Sequence, residues 1–186
     1  MADGILKVGQ IQTSSGTGTI TLGQSGETIA LGTGASQTLA ANTPAFRATM
    51  ASAQSISNET YTLLNYDTVD YNVGVTYNTT DKTFTVPSGQ AGKYFFMAAT
   101  ILEFGDAAGE YGDMYIQKNG TDAIGRRHVV SGSLSGRSPS IVVSGFLNLA
   151  VDDVIRARVW HKFGSSKDTS AGTTFTFFSG YKLIGA

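Results

Sequence analysis

Two histidines, His128 and His161, are the side chains of this chain best suited to moving protons near neutral pH. Catalysis by either would need a nucleophile or carboxylate within hydrogen-bond reach. His161 follows Trp160 at the end of an alternating segment and His128 sits in GRRHVVSG, contexts that read as packed or solvated residues rather than catalysts. No GxSxG elbow, HExxH pair or P-loop lysine motif occurs, so the chain is expected not to be an enzyme and to carry no cofactor. Asp106, Glu110 and Asp113 in FGDAAGEYGDM are the nearest approach to an oxygen ligand set for a hard cation. Their spacing matches no calcium-loop pattern, and a solvated acidic turn is the reading taken, with no metal site. Asp152-Asp153 in LAVDDVI reads as a turn between strands.

Recognition is the other chemistry open to loop residues, because flat rings stack on sugars while Arg and carboxylates reach hydroxyls. The ligand-binding candidates are Glu110, Tyr111, Arg126, Arg127, Arg137 and, within the segment from Lys162 to Asp168, Lys167. Trp160 shares an alternating face with Arg156 and Arg158, which would lay its ring against an aliphatic Arg stem at an interface or in the core.

The elements that must position these residues are strands. From Pro44 onward, alternating segments such as AFRATM, TYTLLNYD, KYFFMAATIL, GDMYIQKNG, SIVVSGFLNL, DVIRARVWH and TTFTFFSGYKLIG recur at short intervals. Between them lie turn signals such as Asn119-Gly120 and Pro87-Ser88-Gly89. No window of a dozen residues holds an apolar helical stripe, so eight to ten strands in a sandwich or jelly roll are expected. The segment Tyr94 to Leu102 has Tyr94, Phe96, Ala98 and Thr100 on one face and Phe95, Met97, Ala99 and Ile101 on the other, and neither face is polar. The segment from Thr174 to Leu183 behaves similarly. An antiparallel strand of a monomeric sandwich should have one wet face, so a homo-oligomer is expected.

Residues 1–42 differ in kind. They hold three charged side chains (Asp3, Lys7, Glu27), no aromatic ring, and many Gly, Ser, Thr and Gln, so they cannot build a core. Short apolar alternations recur in them, and strands this poor in apolar surface need partner strands from other chains or a host surface. The segment is read as an attachment arm, with Ile5, Val8, Ile11, Ile20, Leu22, Ile29 and Leu31 as its anchoring residues; the alternative is a flexible linker. The domains expected are therefore the arm, 1–42, and one sandwich domain, 43–186.

Composition bounds the partners. In 186 residues there are 13 Lys plus Arg against 14 Asp plus Glu, a net charge of -1, and no local cluster of basic residues, which argues against nucleic acid. The absence of cysteine removes disulfides and thiolate metal sites. No Sec-type signal and no apolar run of membrane-spanning length is read, so no membrane insertion is expected.

Spacing sharpens the fold class. Tyr66, Asn72, Tyr77 and Phe84 stand at intervals of six, five and seven residues, followed by Gly92-x-Tyr94-x-Phe96 and a closing FFSGYKLIG; Pro44-Ala45-Phe46 opens the series and GDMYIQKNGTDA stands at its centre. Over residues 44–186 this pattern resembles the C1q/TNF-like jelly-roll superfamily, most closely its C1q-type branch. Two departures are a turn from Phe84 to Gly92 two residues longer than usual and Ala98 in place of an aromatic. The resemblance implies a ten-stranded all-β jelly roll that closes as a homotrimer, with inner-sheet aromatics at the axis. Tyr94, Phe96, Phe175, Phe177 and Phe178 are the interface residues it suggests. The arm, with TSSGTGTITLGQSGETIAL, looks like N-terminal segments of bacteriophage fibre and head-decoration proteins that carry C1q-like tips. The expectation is a virion-surface protein: a trimeric fibre or spike tip attaching to a host cell-surface glycan or receptor, joined to other virion proteins through its arm. The runner-up is a capsid decoration protein that stabilises the phage head.

Overall fold

The computed structural model describes residue 33 and residues 43–102, 109–129 and 140–183. The chain divides into two units, Met1–Leu39 and Ala40–Ala186, and all the described residues but residue 33 belong to the second. Arg137, Asp106 and the seven anchoring residues of the arm lie outside the described residues.

All regular structure among the described residues is β: β1 (Ala45–Met50), β2 (Ser55–Ile56), β3 (Thr62–Leu63), β4 (Thr68–Val73), β5 (Phe84–Thr85), β6 (Gly92–Ile101), β7 (Tyr111–Lys118), β8 (Thr121–Val129), β9 (Ser140–Leu149), β10 (Val154–Lys162), β11 (Lys167–Asp168) and β12 (Gly172–Lys182). One sheet runs β4-β1-β12-β6-β9 and a second runs β3-β10-β7-β8 with β5 also on β10. Every pairing is antiparallel. The pairings are nested: β1 with β12, β2 with β11, β3 with β10, β6 with β9 and β7 with β8. Between β1 and β12 the strands thus follow one ribbon doubled back on itself, its innermost bend being the β7–β8 hairpin. At that bend Asn119 and Gly120 have φ of 51° and 83°, the left-handed pair a two-residue hairpin turn demands.

The two sheets share one apolar core, as in a β-sandwich. Phe96, Phe178, Ile141 and Val143 come from the first sheet and Met114, Ile116, Ile155 and Val159 from the second. Its hub is Phe46 on β1, stacked on Tyr77 and Phe84 with ring centroids 5.0 and 5.1 Å away and edge-on to Phe178 at 5.1 Å. Gly180 on β12 leaves room for these rings, because a Cβ there would run into Phe96 and Phe46. Tyr66 and Tyr94 are buried with their hydroxyls donating to the Ala99 and Gln90 carbonyls at 3.0 and 2.6 Å. The spaced aromatics of the sequence, Tyr66, Tyr77, Phe84, Tyr94 and Phe96, are therefore all core residues.

This corrects one expectation. Tyr94, Phe96 and Phe178, assigned above to a surface between chains, lie wholly inside a single one. Both faces of β6 are apolar in sequence, so parity alone cannot say which is inner. The structure puts Tyr94, Phe96 and Ala98 inside and turns Phe95 and Met97 outward, where they are half-buried. On β12 the adjacent Phe177 and Phe178 necessarily point to opposite sides.

Asp153, in the turn between β9 and β10, ties the end of the ribbon together. Its carboxylate accepts from the Ala150 N–H at 2.7 Å and the Asn119 side chain at 2.7 Å, and it pairs with Lys118 at 2.8 Å. Burial alone would raise its pKa, but Lys118 and the two amide donors outweigh that and hold it below the usual carboxylate value.

Candidate functional site

Two solvent faces carry more than surface chemistry, and the first is the outer face of the first sheet. Strand register lines up Val73, Ala45, Tyr181, Phe95 and Phe146 in one row across all five strands, and Phe177, Ala99 and Val142 in another. Phe95 packs on Phe146 and Tyr181 at 5.2 and 5.6 Å, and the Arg47 guanidinium sits 4.9 Å over Phe177. Phe146 and Phe175 remain 64% and 58% exposed. A contiguous exposed apolar face of this kind is a candidate interaction surface. Of the five expected interface residues only Phe175 and Phe177 are on this face. Phe95, Phe146 and Tyr181 were missed; the doubled apolar parity of β6 pointed to them.

The second is the outer face of the other sheet, a lattice of rings and charges across β8, β7 and β10. Asp113 is buried although charged. Its oxygens receive Nε and Nη2 of Arg127, both at 2.7 Å, and the Tyr115 hydroxyl at 3.1 Å. That satisfies the rule that a buried charge be paired and hydrogen-bonded. The expectation that Asp113 belongs to a loop is thereby corrected, since β7 begins at Tyr111, and each of its oxygens is engaged by Arg127. Burial, then the charge of Asp113, pushes the Tyr115 hydroxyl pKa well above its ordinary value.

Around this pair the Arg127 guanidinium lies 4.2 Å over Tyr111, and Arg158, ion-paired with Asp122, lies 3.9 Å over the Tyr61 ring. Trp160 bridges Tyr111 at 5.2 Å and Tyr61 at 6.3 Å. The rings form a continuous row, Tyr111–Trp160–Tyr61–Tyr115, with Tyr61 52% exposed. Trp160 thus packs on tyrosines, and the arginine stacking anticipated for it falls to Tyr61.

The predicted ligand-binding residues divide. Arg126 and Arg127 border one open depression of about 390 Å³ with Asp113, Tyr115 and Gly125, and Tyr111 lies beneath Arg127. Glu110 faces a different depression of about 380 Å³ with Asn58, Glu59 and Lys162, and one of its oxygens is buried without a partner. Lys167 is on β11, paired with β2, and does not join the ring lattice. Among the described residues no group of three His, Cys, Asp or Glu is placed to hold a metal ion.

His161 is a structural residue. Its ring is fully buried, stacked on Phe163 at 4.8 Å, and Nε2 donates to the Ile56 carbonyl at 3.0 Å. Burial lowers its pKa and Lys167 adds to this, while the Ile56 bond and Glu110 act the other way. A histidine whose folded pKa lies below its unfolded value stabilises fully above the unfolded value and loses that contribution as pH falls through it toward the folded one. Thermal stability is therefore expected to drop between about pH 7.5 and 5.5, around the ordinary histidine value, and to drop less in His161→Gln, which keeps a donor for Ile56 but does not titrate in this range. Melting curves across that range check it; parallel losses in both proteins would contradict the assignment.

No protein-family model matches the chain, and no curated protein matches it.

Proposed function

We propose that the chain is a non-enzymatic virion structural protein of a bacteriophage. In this reading residues 43–186 form a C1q/TNF-like jelly-roll head that closes as a homotrimer at a fibre or spike tip, and residues 1–42 fasten it to other virion proteins. The observation that carries the reading is the apolar outer face of the first sheet, where Phe95, Phe146, Phe175, Phe177 and Tyr181 are left without a covering layer by the described residues. Covering one large aromatic side chain is worth about 1.5–3 kcal/mol, so such a face favours burial against further copies of the same head.

Two further features support it. The nested pairing of first strand with last, and so inward to the β7–β8 hairpin, is what a jelly roll requires. The motif aromatics that resemble the C1q-type branch pack as one cluster around Phe46. The virion assignment rests on the likeness of the arm to phage fibre and head-decoration segments. Three identical heads on one cell surface raise one another's effective concentration, so weak contacts at each add up to adhesion.

Deleting residues 2–42 tests the division of labour. The head is expected to remain soluble and assembled but to be absent from purified particles, whereas loss of assembly would contradict the reading. Counting copies in intact particles separates the two virion roles: tens fit a fibre, and hundreds would mean a decoration protein of the head.

A further inference from the structure

The two sheets present different chemistry on their outer faces. Phenylalanines predominate among the rings of the first, whereas the row on the second, Tyr111–Trp160–Tyr61–Tyr115, is built of rings that each carry a donor, a phenol O–H or the indole N–H. Alternation places the row on one side of its sheet. On β10 the buried Ala157, Val159 and His161 alternate with Arg158 and Trp160, and on β7 Tyr111, Asp113 and Tyr115 leave Met114 to the core. Gly125 and Arg127 of β8 are in register with Tyr115 and Asp113 and join this side. Arg126 is in register with Met114, so its side chain leaves by the other side of the strand.

The row is braced and its charges are matched. Arg127 lies 4.2 Å over Tyr111 while Asp113 accepts from its Nε and Nη2, and Arg158 lies 3.9 Å over Tyr61 while pairing with Asp122. Arg158 covers one face of the Tyr61 ring; with 52% of that residue exposed, the other face is open to solvent. Tyr115 lies against Gly125, where a Cβ would come within 2.9 Å of its ring. In front of that bare backbone is the open depression of about 390 Å³, bordered by Tyr115, Asp113 and Arg127, a volume within the usual range for small ligands, about 300–1,000 Å³. Nη1 of Arg127, outside the two bonds to Asp113, is a donor on its border. Because each guanidinium of the row already has a carboxylate, a charged group entering here would meet like and opposite charge together and gain little. What remains on offer is ring surface beside hydrogen-bond donors. The ligand that uses both is a ring with C–H groups on its faces and hydroxyls around its edge.

We propose that this row binds a neutral saccharide, with one sugar ring in the depression against Tyr115, its hydroxyl accepting from Arg127, and neighbouring sugar rings along Tyr61 and Trp160. The inference rests on the attachment role proposed above and gives it a site and a ligand class. Bracing of the rings by Arg127 and Arg158 lowers the ordering cost of each contact. An open depression holds a single chain weakly, and several identical heads on one surface turn weak contacts into adhesion.

Trp160 is the single tryptophan of the chain, so its fluorescence reports on the row directly. The full chain is titrated with neutral hexasaccharides of glucose, mannose, galactose and N-acetylglucosamine, and with hexagalacturonate as the acidic comparator. At least one neutral hexasaccharide is expected to change the Trp160 emission saturably, and hexagalacturonate to leave it unchanged. Tyr61→Ala is expected to weaken that binding about two- to tenfold, the usual worth of one ring contact, with a melting temperature within a few degrees of the unmodified chain. Tyr61→Phe, which keeps the ring, is expected to recover most of the loss. No response to any neutral hexasaccharide, binding of hexagalacturonate as tight as that of the neutral chains, or undiminished binding by Tyr61→Ala would each overturn the proposal. Light scattering on the same preparations keeps the readings apart. A three-chain mass without a saccharide response removes this inference alone, whereas a one-chain mass of the unmodified protein removes the trimeric head on which it rests. Loss of assembly in Tyr61→Ala would make the row a contact between copies and overturn the saccharide site.

Discussion

Phe46→Ala is expected to cost about 3–5 kcal/mol, the usual range for emptying a large aromatic site in a packed core. The site cannot collapse easily, because Phe46 is in ring contact with four residues on different segments: Tyr77, Phe84, Phe96 and Phe178. Phe46, Phe96 and Phe178 stand on β1, β6 and β12, which are fixed by long ladders, so that side of the cavity is held in place. Against the roughly 5–15 kcal/mol that typical domains possess, such a loss leaves little margin. Urea unfolding at one fixed protein concentration should show a much lower midpoint with an unchanged slope, and Phe46→Leu should lose less. A loss below about 1 kcal/mol, well under the range for such a truncation, would mean that the aromatic cluster is not the centre of the fold.

The second large effect concerns assembly. In the double variant Phe146→Glu, Phe175→Glu, two of the most exposed rings on the outer face of the first sheet become carboxylates. Neither ring belongs to the core, so a single head should fold as before. Between heads, however, each substitution removes about 1.5–3 kcal/mol of apolar burial and would leave an unpaired charge in the contact, which is costlier still. The expected product is a folded monomer with an unchanged far-UV spectrum. A variant that still assembles would show that this face is not where copies meet, and one that fails to fold would show that the rings serve the chain itself.

Much of the architecture is legible in the residues alone. Alternation in KYFFMAATIL, SIVVSGFLNL and DVIRARVWH corresponds to β6, β9 and β10, and Asn119-Gly120 and Pro87-Ser88-Gly89 mark real turns. Asp152-Asp153 does stand between two strands. What periodicity could not decide was which side of a doubly apolar strand is inner. That choice depends on what lies opposite: Phe96 needs the bare Gly180 beside it, while Phe95 meets only Phe146 and Tyr181. Such pairings join residues far apart along the chain, Phe95 with Phe146 and Phe96 with Gly180, and no local window contains them.

The lattice of rings and charges on the second sheet was hidden for a similar reason. Along the chain, Arg126-Arg127 is an unremarkable doublet, Arg156 and Arg158 merely alternate with apolar residues, and Asp113 sits in a segment rich in Gly and acidic residues. Only the β8-β7-β10 order brings Arg127 onto Asp113 and sets Trp160 between Tyr111 and Tyr61. Tyr61 carried no signal of its own, because it precedes a strand of two residues whose place beside β10 is determined by tertiary pairing.

The proposed function requires that the apolar outer face of the first sheet be covered by other copies of the same head. The most direct measurement is the mass of the unmodified full chain in dilute solution, by native mass spectrometry or light scattering. A single species of about three times the 19.5 kDa of one chain is expected, persisting on dilution to low micromolar concentration. A stable species at 19.5 kDa would contradict the trimeric head and the attachment role built on it.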